Sequence, residues 1–546
     1  MSFGVRILAT VPRLVLLLLA APGGAQNAFE PADDWGIDFV HQHGGTGAFY
    51  MTETMGSGAA VFDFDGDGDR DVLLLSSGPT PEFEGAPAPS QLFRNDAGRF
   101  VPWRGTPSIE GYPMGAAVGD VNGNGVLDLV VTTFGPDQLF LGTAEGTFVP
   151  TPLPTEPSWG TSAAFDDVDG DGDLDLYITR YVDFDYDNNK LCGIKERGLR
   201  SYCHPNVYDG LDDVFFTNDG QGNFSDRTKE AGFGSASGNG LGVIFSDLDG
   251  DGLRDLYVAN DMTANYQFMN SPAGSFEELA LLFGTALSND GAPEAGMGVA
   301  AGDLDGDGRM DLITTHLDQQ TNAVYGNTGT GVFVDRRFVS KLAEPSLPKV
   351  GFGVSIEDFD LDGDNDVLVA NGHIIHNVED YERGTTFKQP NQLFLNGGDG
   401  VFTESGTSGL DVVESSRGSA TGDLDGDGDL DLVINNSDAR AEVYRNLATG
   451  HWIAIEPRWR SRVDVGARVT LRGGAGAAAR TQVSEVRSGT SYLSHSDSVA
   501  TFGLGEDPGE PVVELTWSDG RKQTFRGLPA DRRIVVRRSP ARGSAP

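Results

Sequence analysis

Asp303–Asp311 reads DLDGDGRMD and sets Asp303, Asp305, Asp307 and Asp311 at positions 1, 3, 5 and 9 of a nine-residue turn, with Gly308 at position 6. Closely spaced hard oxygen donors on a tight turn suit Ca2+. Glycine at position 6 permits the left-handed backbone that folds the donors around one point. The carbonyl of Arg309, at position 7, is the natural main-chain ligand. The same frame occurs seven times. The other candidate metal ligands are Asp63, Asp65, Asp67 and Asp71; Asp120, Asn122, Asn124 and Asp128; Asp167, Asp169, Asp171 and Asp175; Asp247, Asp249, Asp251 and Asp255; Asp358, Asp360, Asp362 and Asp366; and Asp423, Asp425, Asp427 and Asp431. Position 6 is glycine in all seven, and 26 of the 28 side-chain positions are Asp. One such loop would fit an ordinary Asp-Gly turn; seven in one frame argue against that. The expected cofactor is Ca2+, at about seven sites.

The flanks decide the fold. Before each loop lies a short run of small and branched residues, as in GSGAAVF (56–62), and after it an apolar run, as in DVLLL (71–75). Such runs read as buried strands. A third element (QLFRN, 91–95) and, in most copies, a fourth (GRF, 98–100) follow. Loop starts are 57, 47, 80, 56, 55 and 65 residues apart. A repeat of that length made of four short strands is a propeller blade. The expected fold is all-β, with a seven-bladed propeller over residues 36–447. The segment GIDFVHQH (Gly36 to His43) is expected as the missing fourth strand of the last blade, closing the ring so that no edge stays free. An EF-hand needs a Glu at position 12 between helices; here Leu74, Val131, Ile178, Val258, Thr314, Val369 and Ile434 stand there, inside strands. A nonapeptide β-helix needs a nine-residue period, which these spacings exclude.

Composition bounds the rest. The chain has 546 residues, room for more than one domain, and a formal charge of −42, of which the loop aspartates supply more than half. So acidic a surface argues against nucleic-acid binding. It argues for a cation requirement, since clustered carboxylates repel one another. The start, MSFGVRILATVPRLVLLLLAAPGGAQ, has Arg6 and Arg13, an apolar run from Leu14 to Ala21 and then small residues. It reads as a signal peptide over 1–25, cleaved after Ala25. The run is too short to span a bilayer, no later segment is long and apolar enough for a transmembrane helix, and no Cys near the cleavage site offers a lipid anchor. The expected product is secreted, periplasmic or extracellular, and monomeric. There Ca2+ is plentiful and disulfides persist. Cys192 and Cys203, the only cysteines, fall in the longest inter-loop spacing and read as a disulfide stapling a surface insertion; the alternative adds His204 as a third metal ligand. From about Gly450 the loops stop and the charge reverses: residues 451–546 hold 15 Arg plus Lys against 10 Asp plus Glu. Strand-like stretches there predict a small second β domain over 448–538, with a tail at 539–546. Its basic excess suits anionic glycans or lipid headgroups, or docking on the acidic propeller.

The loops resemble the FG-GAP/VCBS-type calcium repeats of integrin-like propellers. The stretch VGARVTLRGG (465–474), TQVSEVRSGTSYLSHSDSVATFGLG (481–505) and VELTWSDGRKQ (513–523) resembles the ASPIC/UnbV domain. With VYDGLDDVFFTNDGQGNFSD (207–226) and YVANDMTANYQFMN (257–270), the chain resembles the cartilage acidic protein family of secreted repeat proteins. The resemblance implies a calcium-binding propeller followed by an ASPIC/UnbV domain; it implies no particular activity. Two departures stand out: Asn122 and Asn124 in the second loop, which should weaken that site, and Leu361 where the other loops have glycine at position 4.

No G-x-S-x-G elbow, P-loop or HExxH motif is present. The strands after the loops end in polar residues. Arg180, Asp261, His316 and His373 are the candidate ligand-face residues at the rim opposite the loops, where converging side chains would make a small-molecule or glycan pocket. The reading is a secreted calcium-binding protein, not an enzyme, acting as a binding, adhesion or scaffold module for an extracellular protein or glycan ligand. The alternative is an extracytoplasmic carbohydrate-active or tailoring enzyme using the face opposite the calcium loops.

Overall fold

The computed structural model of the chain describes residues 28–234, 237–473 and 480–538, together with the backbone of Arg6–Ile7. The expected signal peptide and the 539–546 tail lie outside the described residues, apart from that two-residue strand, which pairs antiparallel with Ile534 and Val535.

Seven four-stranded antiparallel units make the propeller. In blade 1 the strands run Ala59–Phe62, Asp71–Leu74, Gln91–Asn95 and Phe100–Pro102, from the axis outward. The nine-residue loop always joins the first strand to the second. Blades 2 and 3 merge into one eight-stranded sheet through Ser158 and Trp159, which pair with Gly135 and Phe134. Each blade buries both faces against its neighbours, which is why the second strands are unbroken apolar runs. One core cluster joins Ala60, Phe62, Leu73 and Leu92 of blade 1 to Val118, Leu129, Val131 and Phe140 of blade 2. The first strands are rich in Ala and Gly because the blades converge at the axis. A Cβ on Gly115 would stand 2.9 Å from Leu493 Cα and from the Thr161 carbonyl.

The ring closes differently from expectation. Blade 7 holds Ser416–Gly422, Asp431–Asn436 and Glu442–Asn446, and its fourth strand is Phe29–Pro31, with Phe29 opposite Asn446 and Pro31 opposite Tyr444. The propeller therefore starts at residue 29, not 36. Gly36 to His43 is no ladder strand. It makes one bridge, Val40 to Arg440, and packs Ile37 and Phe39 into the core between blades 7 and 1.

The C-terminal domain begins four residues after blade 7. One sheet is built on His451–Trp459, Ala500–Gly505 and Arg532–Arg538, the other on Thr481–Glu485, Arg468–Arg472, Val512–Thr516 and Lys522–Arg526. Ile453, Val469, Phe502, Leu515, Trp517 and Ile534 fill the space between them. The strand that starts at Thr481 stops at Glu485. From Ser488 the chain leaves the sheet and enters the propeller's central channel. Phe165 N–H of blade 3 donates to Ser488 O (3.2 Å) and Ser491 exchanges both main-chain bonds with Val299 of blade 5 (3.0 and 3.2 Å). Ser491 Oγ accepts from Val354 N–H of blade 6 (2.9 Å). Leu493 O accepts from Ala116 of blade 2, His495 bonds Ala59 and Val61 of blade 1, and Asp497 N–H donates to Thr421 of blade 7. Tyr492 and Leu493, at the tip, are buried with Met55, Met114, Trp159 and Phe352.

Candidate metal centre

The loop conformation follows from three repeated devices. The position-1 carboxylate accepts main-chain N–H bonds from across the turn: Asp303 takes Asp307 N–H (3.1 Å) and Gly308 N–H (2.9 Å), and Asp358 takes Asp362 and Gly363. Positions 4 and 6 lie in the left-handed region, as at Gly306 (φ 74°) and Gly308 (φ 86°). Leu361, the one non-glycine at position 4, adopts φ 61° and is buried against Gly450 at the start of the C-terminal domain. The position-9 aspartate is a hinge pin in every blade. Asp71 Oδ2 accepts from Phe64 N–H (3.0 Å) and Oδ1 from Asn95 N–H (2.7 Å), and Asp128, Asp175, Asp255, Asp311, Asp366 and Asp431 repeat both bonds.

The third strand adds a residue that the sequence analysis did not single out. Its terminal Asn reaches the preceding blade: Asn95 Nδ2 donates to Arg70 O and to Leu424 O of blade 7, and Asn327 Nδ2 to Met310 O and to Leu248 O of blade 4. Asn218, Asn270, Asn396 and Asn446 make the same inter-blade bond; blade 2, with Gly142 there, does not. The recurrent N closing QLFRN, VFFTN and YQFMN was the available signal. These bonds seat all seven loops on one rim.

In at least five loops three carboxylates bring one oxygen each within 4.8 Å of one another: Asp63/65/71, Asp167/169/171, Asp247/249/251, Asp303/305/311 and Asp358/360/366. Burial pushes the position-9 carboxylates up, against their main-chain donors and with help from neighbouring aspartates: Asp175 rises to about 9, Asp255 to about 8 and Asp311 to about 7. At position 3 of the fifth and seventh loops one oxygen is paired and the other is not. Arg336 binds Asp305 Oδ2, and Arg445 lies 3.4 Å from Asp425 Oδ2. Asp305 Oδ1 and Asp425 Oδ1, and likewise Asp167 Oδ1 at position 1, are buried with no hydrogen-bond partner. Buried unpaired carboxylate oxygens are costly, and a hard divalent cation in each of these three loops is a partner that suits them. The donor set thus fits Ca2+. In the second loop Asn122 and Asn124 supply neutral carbonyls at positions 3 and 5.

The opposite rim does not form the expected pocket. Arg180 pairs with Asp137 of blade 2 at 2.6 Å. Asp261 accepts the Tyr181 hydroxyl at 2.6 Å. His316 Nδ1 donates to the Thr321 carbonyl (2.9 Å), and burial lowers its pKa to about 4. His373 Nδ1 accepts Ile375 N–H (2.9 Å), leaving its proton on Nε2, 3.3 Å from Asp318, which also meets Arg383 (3.1 Å). Arg180, His316 and His373 are at most 2 % exposed. Arg180, Asp261 and His373 tie neighbouring blades together and His316 bonds within its own blade, instead of facing a ligand. Over them lies the 183–209 insertion, whose Tyr202 hydroxyl donates to Glu53 (2.8 Å) and whose Arg200 carbonyl accepts from Tyr381 (2.8 Å). Cys192 and Cys203 are bonded to each other in it. That removes the metal alternative for His204: neither sulfur remains as a thiolate, and His204 Nδ1 accepts from Asn206 N–H (3.3 Å).

The basic face of the C-terminal domain docks on the loop rim. Arg480 meets Asp364 of the sixth loop, Arg462 lies 3.6 Å from Asp173 of the third, and Gly503 N–H donates to Asp358 Oδ2 (2.9 Å). Two buried glutamates anchor it. Glu456 is surrounded by Arg533, Arg458 and Arg70, and Glu485 by Arg254, Arg487 and Arg468. Burial alone would raise both; the arginines outweigh it and hold each at about 2. Arg70 and Arg254 occupy position 8 of the first and fourth loops, the only arginines at that position.

Known proteins agree with this architecture. The family described as FG-GAP-like repeat matches residues 63–131, 120–178, 247–314 and 358–434, each match starting at position 1 of one loop and ending just past the next, so that all seven loops are covered. The family described as ASPIC and UnbV matches residues 460–543. Human cartilage acidic protein 1 is 28% identical over 312 residues, 54% of this chain and 43% of its own length, and the Xenopus tropicalis protein of the same name is 25% identical over 311 residues, 54% and 44%. The match thus spans less than half the length of these relatives. Among solved structures, the BP39L lectin from Burkholderia pseudomallei covers 72% of this chain and 96% of its own at 12% identity and a TM-score of 0.42. No helix among the described residues is long and apolar enough to cross a membrane. The chain is an FG-GAP-like repeat propeller with a C-terminal ASPIC and UnbV domain, related over about half its length to the cartilage acidic proteins.

Proposed function

We propose that the seven loops bind Ca2+ and that the protein is an extracytoplasmic binding or scaffold module whose rigidity depends on those ions. The observation that carries the reading is the convergence of three carboxylate oxygens within 4.8 Å in loop after loop, together with buried, unpartnered oxygens at Asp305, Asp425 and Asp167. Positions 1, 3, 5 and 9 would hold the ion with the position-7 carbonyl. When bound, it supplies fixed positive charge; the chain's own part is to hold the turns in register through the position-9 aspartates and the inter-blade asparagines. The channel is filled by residues 488–498 of the same chain, so an outside protein or glycan would meet the rim and outer strands. The disulfide fits an oxidising compartment. Metal analysis after equilibrium dialysis at millimolar Ca2+ tests the reading. About seven ions per chain are expected, one of them, at the Asn122/Asn124 loop, weaker than the rest. Mg2+ should substitute poorly, because it demands a smaller octahedral site. Finding no bound calcium would overturn the proposal.

A further inference from the structure

In six of the seven loops the C-terminal domain makes contact at the sixth residue. Trp452 lies against Gly428, and Trp459, Ser461 and Gln482 stand 2.7, 2.9 and 3.1 Å from where a Cβ would project on Gly172, Gly125 and Gly363. In the first and fifth loops the sixth carbonyl is used instead: Gly68 O accepts from Arg533 (3.1 Å) and Gly308 O from Arg468. Gly252 of the fourth loop has open space around it, and there contact passes through position 8, from Arg254 to Glu485.

We propose that filling of the loops by Ca2+ and seating of the C-terminal domain are one linked equilibrium, in which the domain reads the folded turn of each loop at its sixth residue. The inference rests on the calcium reading above. The sixth glycine is held at φ between 86° and 102° by a turn wrapped around the carboxylates. Without an ion those carboxylates repel, the turn relaxes, and the glycine surfaces and carbonyls move off their partners. The charge of the ion opposes docking of a basic face, but that effect is the smaller. Arg468 and Arg533 donate to neutral carbonyls, and a loop of four aspartates keeps two negative charges after a divalent cation binds. Linkage is reciprocal, so the seated domain tightens ion binding. Its channel segment bonds the first strands of six blades, so unseating it opens the propeller axis.

Hydrogen exchange of the full chain tests this at the amides of residues 488–498. They should be protected in Ca2+ and exchange at least tenfold faster in EGTA. Ca2+ titration of Trp452→Ala and Trp459→Ala, which remove no ligand, should show at least a threefold rise in apparent Kd. Gly428→Ala and Gly252→Ala impose the same left-handed strain on alanine, but only Gly428→Ala meets a tryptophan. It should therefore accelerate exchange in 488–498 more than Gly252→Ala does, which separates docking from a general folding defect. If calcium binds but EGTA leaves exchange in 488–498 unchanged and the tryptophan variants keep native affinity, the linkage is wrong and the calcium reading stands. If no ion binds, both fall.

Discussion

The two faces of the propeller handle buried charge in opposite ways. On the loop rim the same four ligand positions recur seven times, all but two of them acidic, some oxygens are left without partners, and a basic domain covers them. On the opposite rim nothing repeats: Arg180 meets Asp137, His373 meets Asp318, Tyr181 meets Asp261, and a disulfide-closed insertion lies on top. A repeated, incompletely satisfied constellation points to something added from outside. A set of unlike ion pairs points to structure, even where atoms such as His316 Nε2 are buried without a hydrogen-bond partner. The first rim should therefore respond to ions and the second to substitution.

The largest effect should come from EGTA. A ligand binding only the folded state stabilises by about 2.7 kcal/mol per site at a hundredfold excess over Kd, and several such sites exceed the roughly 5–15 kcal/mol net stability of an ordinary domain. Calorimetry should show a sharp fall in Tm that Ca2+ reverses; an unchanged melting curve would erase the contrast between the rims.

Next comes Arg180→Met, which strands Asp137 in the interior and should cost about 3–5 kcal/mol by denaturant unfolding. Adding Asp137→Leu should recover much of the loss, and Ca2+ affinity should not change in either variant. Replacing Cys192 and Cys203 together by Ser should cost about 3 kcal/mol, the value for closing a loop near this size, again with calcium binding intact.

Glu485 tests the covered rim through pH. Its pKa of about 2 lies below that of a free glutamate, so its stabilisation is complete above pH about 4.5 and is lost as pH falls towards 2. The difference in stability between wild type and Glu485→Gln should be constant at neutral pH, at most about 3 kcal/mol, and shrink through that window. A pH-independent difference would mean the arginines do not hold the charged form.

The smallest effect should separate two loops of the same rim. Asp303→Ala with Asp307→Ala should forfeit one full site, whereas Asn122→Ala with Asn124→Ala should cost about 1.4 kcal/mol if that site binds at only a tenfold excess over Kd. Equal losses would mean that net charge does not set the affinity of these loops.

Legibility tracked the range of the interactions. The nine-residue loops, the second strands and the domain change near Gly450 were readable because each is specified within a dozen residues. The closing strand was misplaced by seven residues. Phe29–Pro31 is three residues long and shows no alternation, whereas Gly36 to His43 carries apolar side chains that are buried without joining a ladder. Arg180, Asp261, His316 and His373 lie at or near strand ends on one rim, and that placement alone suggests convergence. The partners of Arg180, Asp261 and His373 come from other blades, and no local pattern names them; His316 bonds Thr321 nearby. RSGTSYLSHSDS (487–498) is mostly polar in sequence, yet Ser488, Ser491, Tyr492 and His495 are at most 2 % exposed.

By itself the sequence determined the repeat, the number of loops, the chemistry of their donors and the cysteine pair, because turn geometry, strand burial and carboxylate spacing are local properties. Only the tertiary structure decided which segment closes the ring, that the polar strand ends neutralise one another, and that the basic domain sits on the acidic rim with a polar segment in the channel. Those outcomes depend on where seven blades place residues hundreds of positions apart, such as Ala59 with His495 and Arg70 with Glu456. The first strands of a closed ring leave main-chain groups along the axis that need partners, and the Ser-rich segment 488–498 supplies them.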